Sequence, residues 1–439
     1  MTGRRKFTLA LIIFSLTGQI AWVVENMYFN VFIYKMFNAS AADISLMVAA
    51  SAVAATLTTI FIGALSDRIG KRKLFMCWGY IAWGISILAF AFVRLDLIAK
   101  AFGEAVNAAA VGVTIVIVLD CVMTFFGSSA NDAAYNAWLT DRTDETNRGR
   151  AEGINSMMPL IAILVVFGGF MGFDLDRAES WTKIYIIIGA VVLFVGVSGF
   201  FLVEDAPLAK KPDDLGYLGT ILYGFRRTVI RENKGLYAVL GFFVVFGIAI
   251  QIFMPYLIIY YEQTLQMSDY VLIMAPAIIL AAVFTALYGK VIDRKGFLKA
   301  SVWPIALLAA GFVFLFLFPA IVSVTGFAMK ALVFAGSLFM MMGDLSGMAV
   351  FGAEIRNRTP DRMAGRFQGL RIIAQVLIPG VVGPAIGAAV LKNADVVVNS
   401  DGTTSFLPNS RIFLTALFVT MILAALIGAY RNQTNKESK

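Results

Sequence analysis

Three acidic residues sit deep inside apolar runs of this chain: Glu25 in GQIAWVVENMYFN (18–30), and Asp120 and Asp132 in VLDCVMTFFGSSANDAAY (118–135). A charged group at the centre of a bilayer costs ~2.5–3.5 kcal/mol on insertion scales, so each is a functional candidate. Two kinds of chemistry fit a carboxyl there: holding a proton or a cation, and accepting hydrogen bonds from a hydroxylated solute. At 100° per residue Gln19, Trp22, Glu25, Asn26, Phe29 and Asn30 fall within about 140° of one another. That stripe predicts a cavity lining in which amides and a carboxylate meet hydroxyls and a tryptophan stacks on a sugar ring. The plainer alternative is a hydrogen bond from Glu25 to a neighbouring helix. On the second stretch Asp120, Thr124, Gly127, Ser128, Asn131 and Tyr135 cover about 100°, with Asp132 about 40° beyond that arc. Asp132 is the stronger candidate for cation or solute contact, with Asp120 beside it or nearer the outer surface. Gln251 and Gln375 would add polar groups from the second half of the chain. Tyr256 and Tyr260 either join them or anchor helix ends at the membrane interface. Asp344, facing Arg371 or a backbone group, reads as structural or gating.

The elements that must carry these residues are set by composition. Hydrophobic residues make up 59% of the chain and charged ones 15%. Soluble domains carry about 25% charged residues, so this is a membrane composition. Runs long enough to cross ~30 Å of hydrocarbon fall near 7–36, 42–65, 73–93, 111–137, 153–173 and 183–203. They resume near 236–261, 270–292, 300–323, 328–352, 368–391 and 411–430. The fold class is therefore an all-α membrane protein of twelve transmembrane helices, because a barrel would show short alternating segments. The first run follows Arg4, Arg5 and Lys6 but is too long for a signal-peptide core, and is read as a retained span. With the N-terminus inside, 28 of the 36 lysines and arginines fall on the cytoplasmic side, which places both termini there. The net charge of +8 is then a topology signal, and no basic face for nucleic acid is expected. Cys77 and Cys121 fall within spans and read as small buried hydrophobes. With no histidine in the chain, no histidine metal centre is possible, and a titrating carrier must be Asp or Glu.

The spans divide six and six about a polar gap at 204–235, giving halves at 1–203 and 236–439. Within the gap, LGYLGTILYGFRRTVI has apolar residues at helical spacing and predicts an amphipathic helix on the inner surface. The halves repeat one another. GALSDRIGKRK (63–73) is echoed by YGKVIDRKG (288–296), and LTDRTDETNRGRAEG (139–153) aligns without gaps to IRNRTPDRMAGRFQG (355–369) with five identities. Arg142 and Arg150 fall on Arg358 and Arg366. Internal duplication in a helical membrane protein is a transporter signature.

Twelve spans, a six-plus-six repeat and G-x-x-x-D-R-x-G-K-R after the second span resemble the major facilitator superfamily over nearly the whole chain. The second copy keeps Gly289, Asp293, Arg294 and Gly296 but places Lys295 before the glycine. Within the superfamily, NDAAYNAWLTDRTDETNRGR (131–150) resembles the signature of the glycoside–pentoside–hexuronide cation symporters and the related sucrose-transporter-like proteins. Asp132, Tyr135, Ala137 and Arg148 fall on its positions, while Ala134 stands where a proline is usual.

The resemblance implies alternating access around a cavity between the halves. It also implies a cytoplasmic latch formed by Gly63, Asp67, Arg68, Gly70 and Arg72, with Asp293 and Arg294 as its mirror and Arg142, Arg150 and Arg366 beside it. The alternative for that charged knot is orientation alone. Asp132 would be the cation-coupling acid, with Glu25 and Asp120. The symporters' two aspartates on span two are absent, since their positions hold Ala55 and Thr59, which favours a proton over sodium. The implied protein is a monomeric secondary transporter in a bacterial cytoplasmic membrane, moving a sugar or similar solute. Gln19, Trp22, Glu25, Asn26, Asn131, Tyr135, Gln251 and Gln375 would contact that solute. An exporter of amphiphiles and a transport-dead sensor are the alternatives. An enzyme is not expected, because no nucleophile–base pair, metal cluster or phosphate loop appears, and no cofactor is called for.

Overall fold

The computed structural model describes residues 3–103, 107–143, 148–205, 219, 222–321, 327–359, 364–399 and 402–437. Among them, twelve helices are long and apolar enough to cross a membrane. The first six are Arg5–Phe37, Ala41–Ser66, Arg72–Phe90, Ala108–Asp141, Gly153–Phe170 and Ala178–Leu202. The second six are Lys234–Thr264, Val271–Ile292, Phe297–Leu317, Phe327–Arg358, Gly369–Leu391 and Arg411–Thr434. They are called spans one to twelve below. The protein is an all-α membrane bundle built from two compact units, residues 1–223 and 224–439.

Each unit pairs its helices in the same way. Spans one and five, two and four, and three and six pack together in the first unit; seven and eleven, eight and ten, and nine and twelve do so in the second. The duplication read in the loops is thus a duplication of packing. Small residues allow the closest approaches, as bare backbone does wherever lipid removes the hydrophobic drive between helices. A Cβ on Gly84 of span three would lie 2.5 Å from the Leu193 backbone nitrogen of span six. A Cβ on Gly311 of span nine would lie 2.4 Å from the Met340 nitrogen of span ten.

Local chemistry sets the ends. Ser40 and Asp43 form a reciprocal capping box at the start of span two: the Ser40 hydroxyl accepts from the Asp43 N–H, and the Asp43 carboxylate accepts from the Ser40 N–H. Gly70 closes that helix at φ 71°, a left-handed conformation that favours glycine. Asn107 caps span four, accepting from the N–H groups of Ala109 and Ala110.

Three features depart from the sequence expectation. The helix of span ten runs to Arg358, well past the predicted end at 352, because its polar extension is helix-compatible and carries a Glu354–Arg358 ion pair one turn apart. A short helix, Leu95–Phe102, lies between spans three and four. An antiparallel hairpin, β1 (Val396–Val398) with β2 (Thr404–Phe406), joins spans eleven and twelve. Its valines favour extended backbone, and Gly402 takes φ 80° in the turn. Of the amphipathic helix expected at 215–230, residues 215–218, 220 and 221 lie outside the described residues; Tyr223–Phe225 forms a 3-10 turn and Arg227–Glu232 a short α-helix.

Candidate functional site

In span one the helix widens over Val24–Tyr28, where the Phe29 N–H reaches the Val24 carbonyl, five residues back. Single wide turns of this kind recur at functional sites, and this one holds Glu25. The same widening occurs at Ser128–Tyr135 in span four, around Asn131 and Asp132. It occurs again at Tyr260–Thr264 in span seven, around Glu262, and at Ile373–Leu377 in span eleven, around Gln375. A wide turn shifts the phase of every residue beyond it, so faces drawn at 100° per residue break there. The predicted stripe of span one is accordingly divided. Phe29 and Asn30 are buried, Phe29 between Phe90 and Tyr185, while Asn26 is exposed and its amide donates to the Trp22 carbonyl.

Glu25 is buried, and its Oε1 accepts from the hydroxyls of Ser51 on span two (2.7 Å) and Thr124 on span four (2.9 Å). Those hydroxyl oxygens are themselves 2.9 Å apart. Its Oε2 is buried with no hydrogen-bond partner among the described residues. Asp120 is 2% exposed; its Oδ1 also lacks a partner there, and its carboxyl lies within electrostatic range of Glu25. The Tyr185 hydroxyl of span six is a third buried group of this kind and lies within electrostatic range of Asp120. Asp132 is half-buried, with Oδ2 accepting from the Ser128 hydroxyl at 2.9 Å. Trp22 stacks obliquely on Trp83 with centroids 5.0 Å apart, and both indole N–H groups are buried without partners among the described residues. Gln19, three residues before Trp22, is half-buried. Spans one, two, three, four and six thus bring together two buried carboxyls, each with an oxygen that no described residue meets, and several donors unpaired among the described residues. Such an interior is equipped to take a proton, an ion or hydroxyl groups.

Two predicted solute contacts, Asn131 and Tyr135, make interhelical hydrogen bonds. The Tyr80 hydroxyl reaches the Phe14 carbonyl (2.7 Å) and the Asn131 Oδ1 (3.0 Å), and Gly18 lies against that amide. The Tyr135 hydroxyl donates to Asn155 Oδ1 at 2.8 Å, which also accepts from Ser15. Asn131 and Tyr135 therefore tie spans one, three, four and five together.

In the second unit Gln251 is half-buried against Gly383, and Gln375 is half-buried. The 226-residue offset that relates Asp43 to Asp269 and Gly63 to Gly289 also relates Glu25 to Gln251. Tyr256 and Tyr260 are buried, so they are not interface anchors; the Tyr256 hydroxyl donates to the Pro384 carbonyl, and that of Tyr260 lacks a partner among the described residues. Asp344 is half-buried and meets neither Arg371 nor another polar partner among the described residues. At the end of the unit that holds the hairpin, the Lys330 ammonium bonded to Asp269 holds that carboxyl below its usual range.

Near the first-unit ends on the side of the N-terminus, charge is organised around Arg72. It is buried, bonded to Asp141 at 3.0 Å and to the Ser66 hydroxyl at 2.7 Å, while Ser66 donates to the Gly63 carbonyl. Arg142 lies 3.7 Å from Glu204 and over the Phe7 ring; Lys6 also reaches Glu204, and the Trp138 indole donates to its carbonyl. The Lys73 N–H donates to Asp205. Arg68 and Arg294 are exposed. The side chains of Asp67, Arg150, Asp293 and Arg366 lie outside the described residues. Among the described residues no group of three His, Cys, Asp or Glu side chains could hold a metal.

The family model of the Major Facilitator Superfamily matches residues 7–384. The chain belongs to that superfamily. No curated protein matches it in sequence. Among solved structures, this facilitator resembles a point mutant of the nucleoside transporter NupG at TM-score 0.71 and 13% identity, over 96% of this chain and 98% of that one. It resembles a bacterial homolog of the human lysosomal transporter Spinster, inward-facing and unoccupied, at TM-score 0.70 and 13% identity, over 96% of each chain. The xylose transporter XylE from E. coli gives TM-score 0.70 and 14% identity over 98% of each. At these identities the likeness is one of fold. Sequence reasoning singled out Glu25, Asp120 and Asp132 in this facilitator but not their neighbours Ser51 and Tyr185, nor Asp141 and Glu204, the charge partners of Arg72 and Arg142. A lone serine in an apolar helix carries little signal until its neighbour is known.

Proposed function

We propose that the protein is a secondary active transporter that couples a small polar solute, of the sugar class, to a proton by alternating access. The observation that carries this reading is the pair of buried carboxyls, Glu25 and Asp120, each with an oxygen that no described donor meets. A proton needs one such oxygen; sodium needs several. Span two supports the choice, with buried Ala55 and Thr59 at the positions where the symporters resembled by residues 131–150 carry aspartates. Asp132 is a second carrier in the same half, and Gln19 and Trp22 with the free indole N–H groups suit hydroxyls and a ring face. Asp67, Arg68, Asp293 and Arg294 are proposed as the gate, with both termini cytoplasmic.

The test is uptake into proteoliposomes of monosaccharides, disaccharides and nucleosides, under a proton gradient and then a sodium gradient. Proton-driven accumulation of one solute, lost in Asp132→Asn or Glu25→Gln while counterflow exchange survives, supports the reading. Sodium-driven uptake overturns the choice of ion. Absence of uptake under both gradients overturns the polar-solute class. A second reading, export of amphiphiles, draws on an apolar groove of about 580 Å³ lined by Leu57, Phe61, Val122 and Phe125; release of a loaded amphiphile would favour it.

A further inference from the structure

We propose that Glu25 holds its proton in a closed ring of three hydrogen bonds with Ser51 and Thr124, and that the structure displays the proton-loaded form. The inference rests on the reading of the chain as a proton-coupled carrier.

Three oxygens, Glu25 Oε1, Ser51 Oγ and Thr124 Oγ1, lie at 2.7, 2.9 and 2.9 Å from one another. Every edge of that triangle is at hydrogen-bond distance, and each edge requires one hydrogen between its oxygens. The two hydroxyls supply one hydrogen each. With an ionised carboxylate, two hydrogens serve three edges and one pair of oxygens meets lone pair to lone pair. A proton on Oε1 supplies the third. The ring then runs head to tail, and each oxygen donates once and accepts once. The rest of the carboxyl agrees: Oε2, buried with no donor among the described residues, is then the carbonyl oxygen of a neutral acid. A carbonyl oxygen tolerates that isolation at far lower cost than a carboxylate oxygen.

The surroundings are consistent with a neutral Glu25. Span four carries Asp120, Cys121 and Asp132; Tyr185 of span six lies within electrostatic range of Asp120, and Tyr80 of span three within range of Asp132. Span two presents Ser51 and has no ionisable residue between Asp43 and Asp67. Among the described residues no lysine or arginine acts on Glu25.

Release has a structural consequence. When the proton leaves Oε1, both hydroxyls turn to the carboxylate as donors, and the Ser51–Thr124 bond between spans two and four is lost. Loading therefore closes a three-helix tie among spans one, two and four, and unloading opens one side of it.

Infrared difference spectroscopy on the purified full-length protein, titrated without solute, tests the ring through the carbonyl stretch of a protonated carboxyl. The expected result is a band that titrates in the wild type and disappears in Glu25→Gln. In Ser51→Ala and in Thr124→Val the ring is cut, and the carbonyl band of the protonated acid should shift in frequency, because its O–H loses its place between two hydroxyls. Thr124→Ser keeps the hydroxyl and should leave the band in place. A carbonyl band whose frequency neither hydroxyl variant moves overturns the proposal, since it places the proton outside the ring. So does a band that Glu25→Gln leaves intact. The reading needs no solute: failure of uptake with an intact ring defeats the transport reading alone, and proton-driven uptake without the band defeats the ring alone.

Discussion

Arg72 shows how far single residues could be read from sequence. Its place in a repeated basic loop marked it, but Asp141, its partner at 3.0 Å, stands sixty-nine positions on and nothing local announces it. The same limit hid Ser51 from Glu25. Charge in an apolar run is visible in one dimension, whereas the group that answers it is fixed by helix packing. The Arg72 and Asp141 side chains are only 7% and 17% exposed, so removing one leaves the other buried and uncompensated, at a cost of ~3–5 kcal/mol. Asp141→Asn is therefore expected to lower the thermal midpoint of the purified protein by several degrees. Glu204→Gln, at a Lys6 pair with 36% and 46% exposure, should change it little, since exposed pairs contribute ~0–1 kcal/mol. Equal losses in a thermal-shift assay would show that Arg72 is not held by its charge partner.

At the scale of elements, hydropathy located every span but not its internal geometry. The wide turns at Val24–Tyr28 and Ser128–Tyr135 have no hydropathy signature, and they explain why Asn26 and Asn30, placed on one predicted stripe, part company. Helix contacts were also unreadable, because a glycine in a span looks the same whether it faces lipid or a neighbour. A Cβ on Gly84 would meet the backbone of span six at 2.5 Å, whereas one on Gly241 of span seven would meet nothing within 4 Å. Gly84→Ala should therefore force spans three and six apart at a cost of ~1–3 kcal/mol, as overpacking does. Gly241→Ala should be neutral or slightly stabilising. Thermal midpoints of the two variants in one detergent decide it, and a neutral Gly84→Ala would mean that the contact of these helices yields.

Across the whole molecule, twelve spans and their duplication were legible because hydrocarbon thickness fixes span length and repeated loops survive as identities such as Arg142 with Arg358. The hairpin at Val396–Phe406 was not, being too short and local for a hydropathy reading to separate from a loop. The carboxyls bear on what the whole protein does with energy. If Glu25 carries one proton per solute, a neutral solute moves with one positive charge, and a potential of 100 mV contributes ~2.3 kcal/mol to its accumulation. At equal pH on both sides that corresponds to roughly 50-fold concentration, because each 1.4 kcal/mol is tenfold. In proteoliposomes held at 100 mV, solute should thus accumulate to about that ratio, and the potential that stops net flux should move by about 59 mV for each tenfold solute gradient. If Asp132 carries a second proton in the same cycle, the ceiling rises to the square of that ratio and the slope halves. Asp132→Asn then separates the two cases: a slope unchanged by the substitution assigns the single proton to Glu25, and a slope that doubles assigns one of two to Asp132.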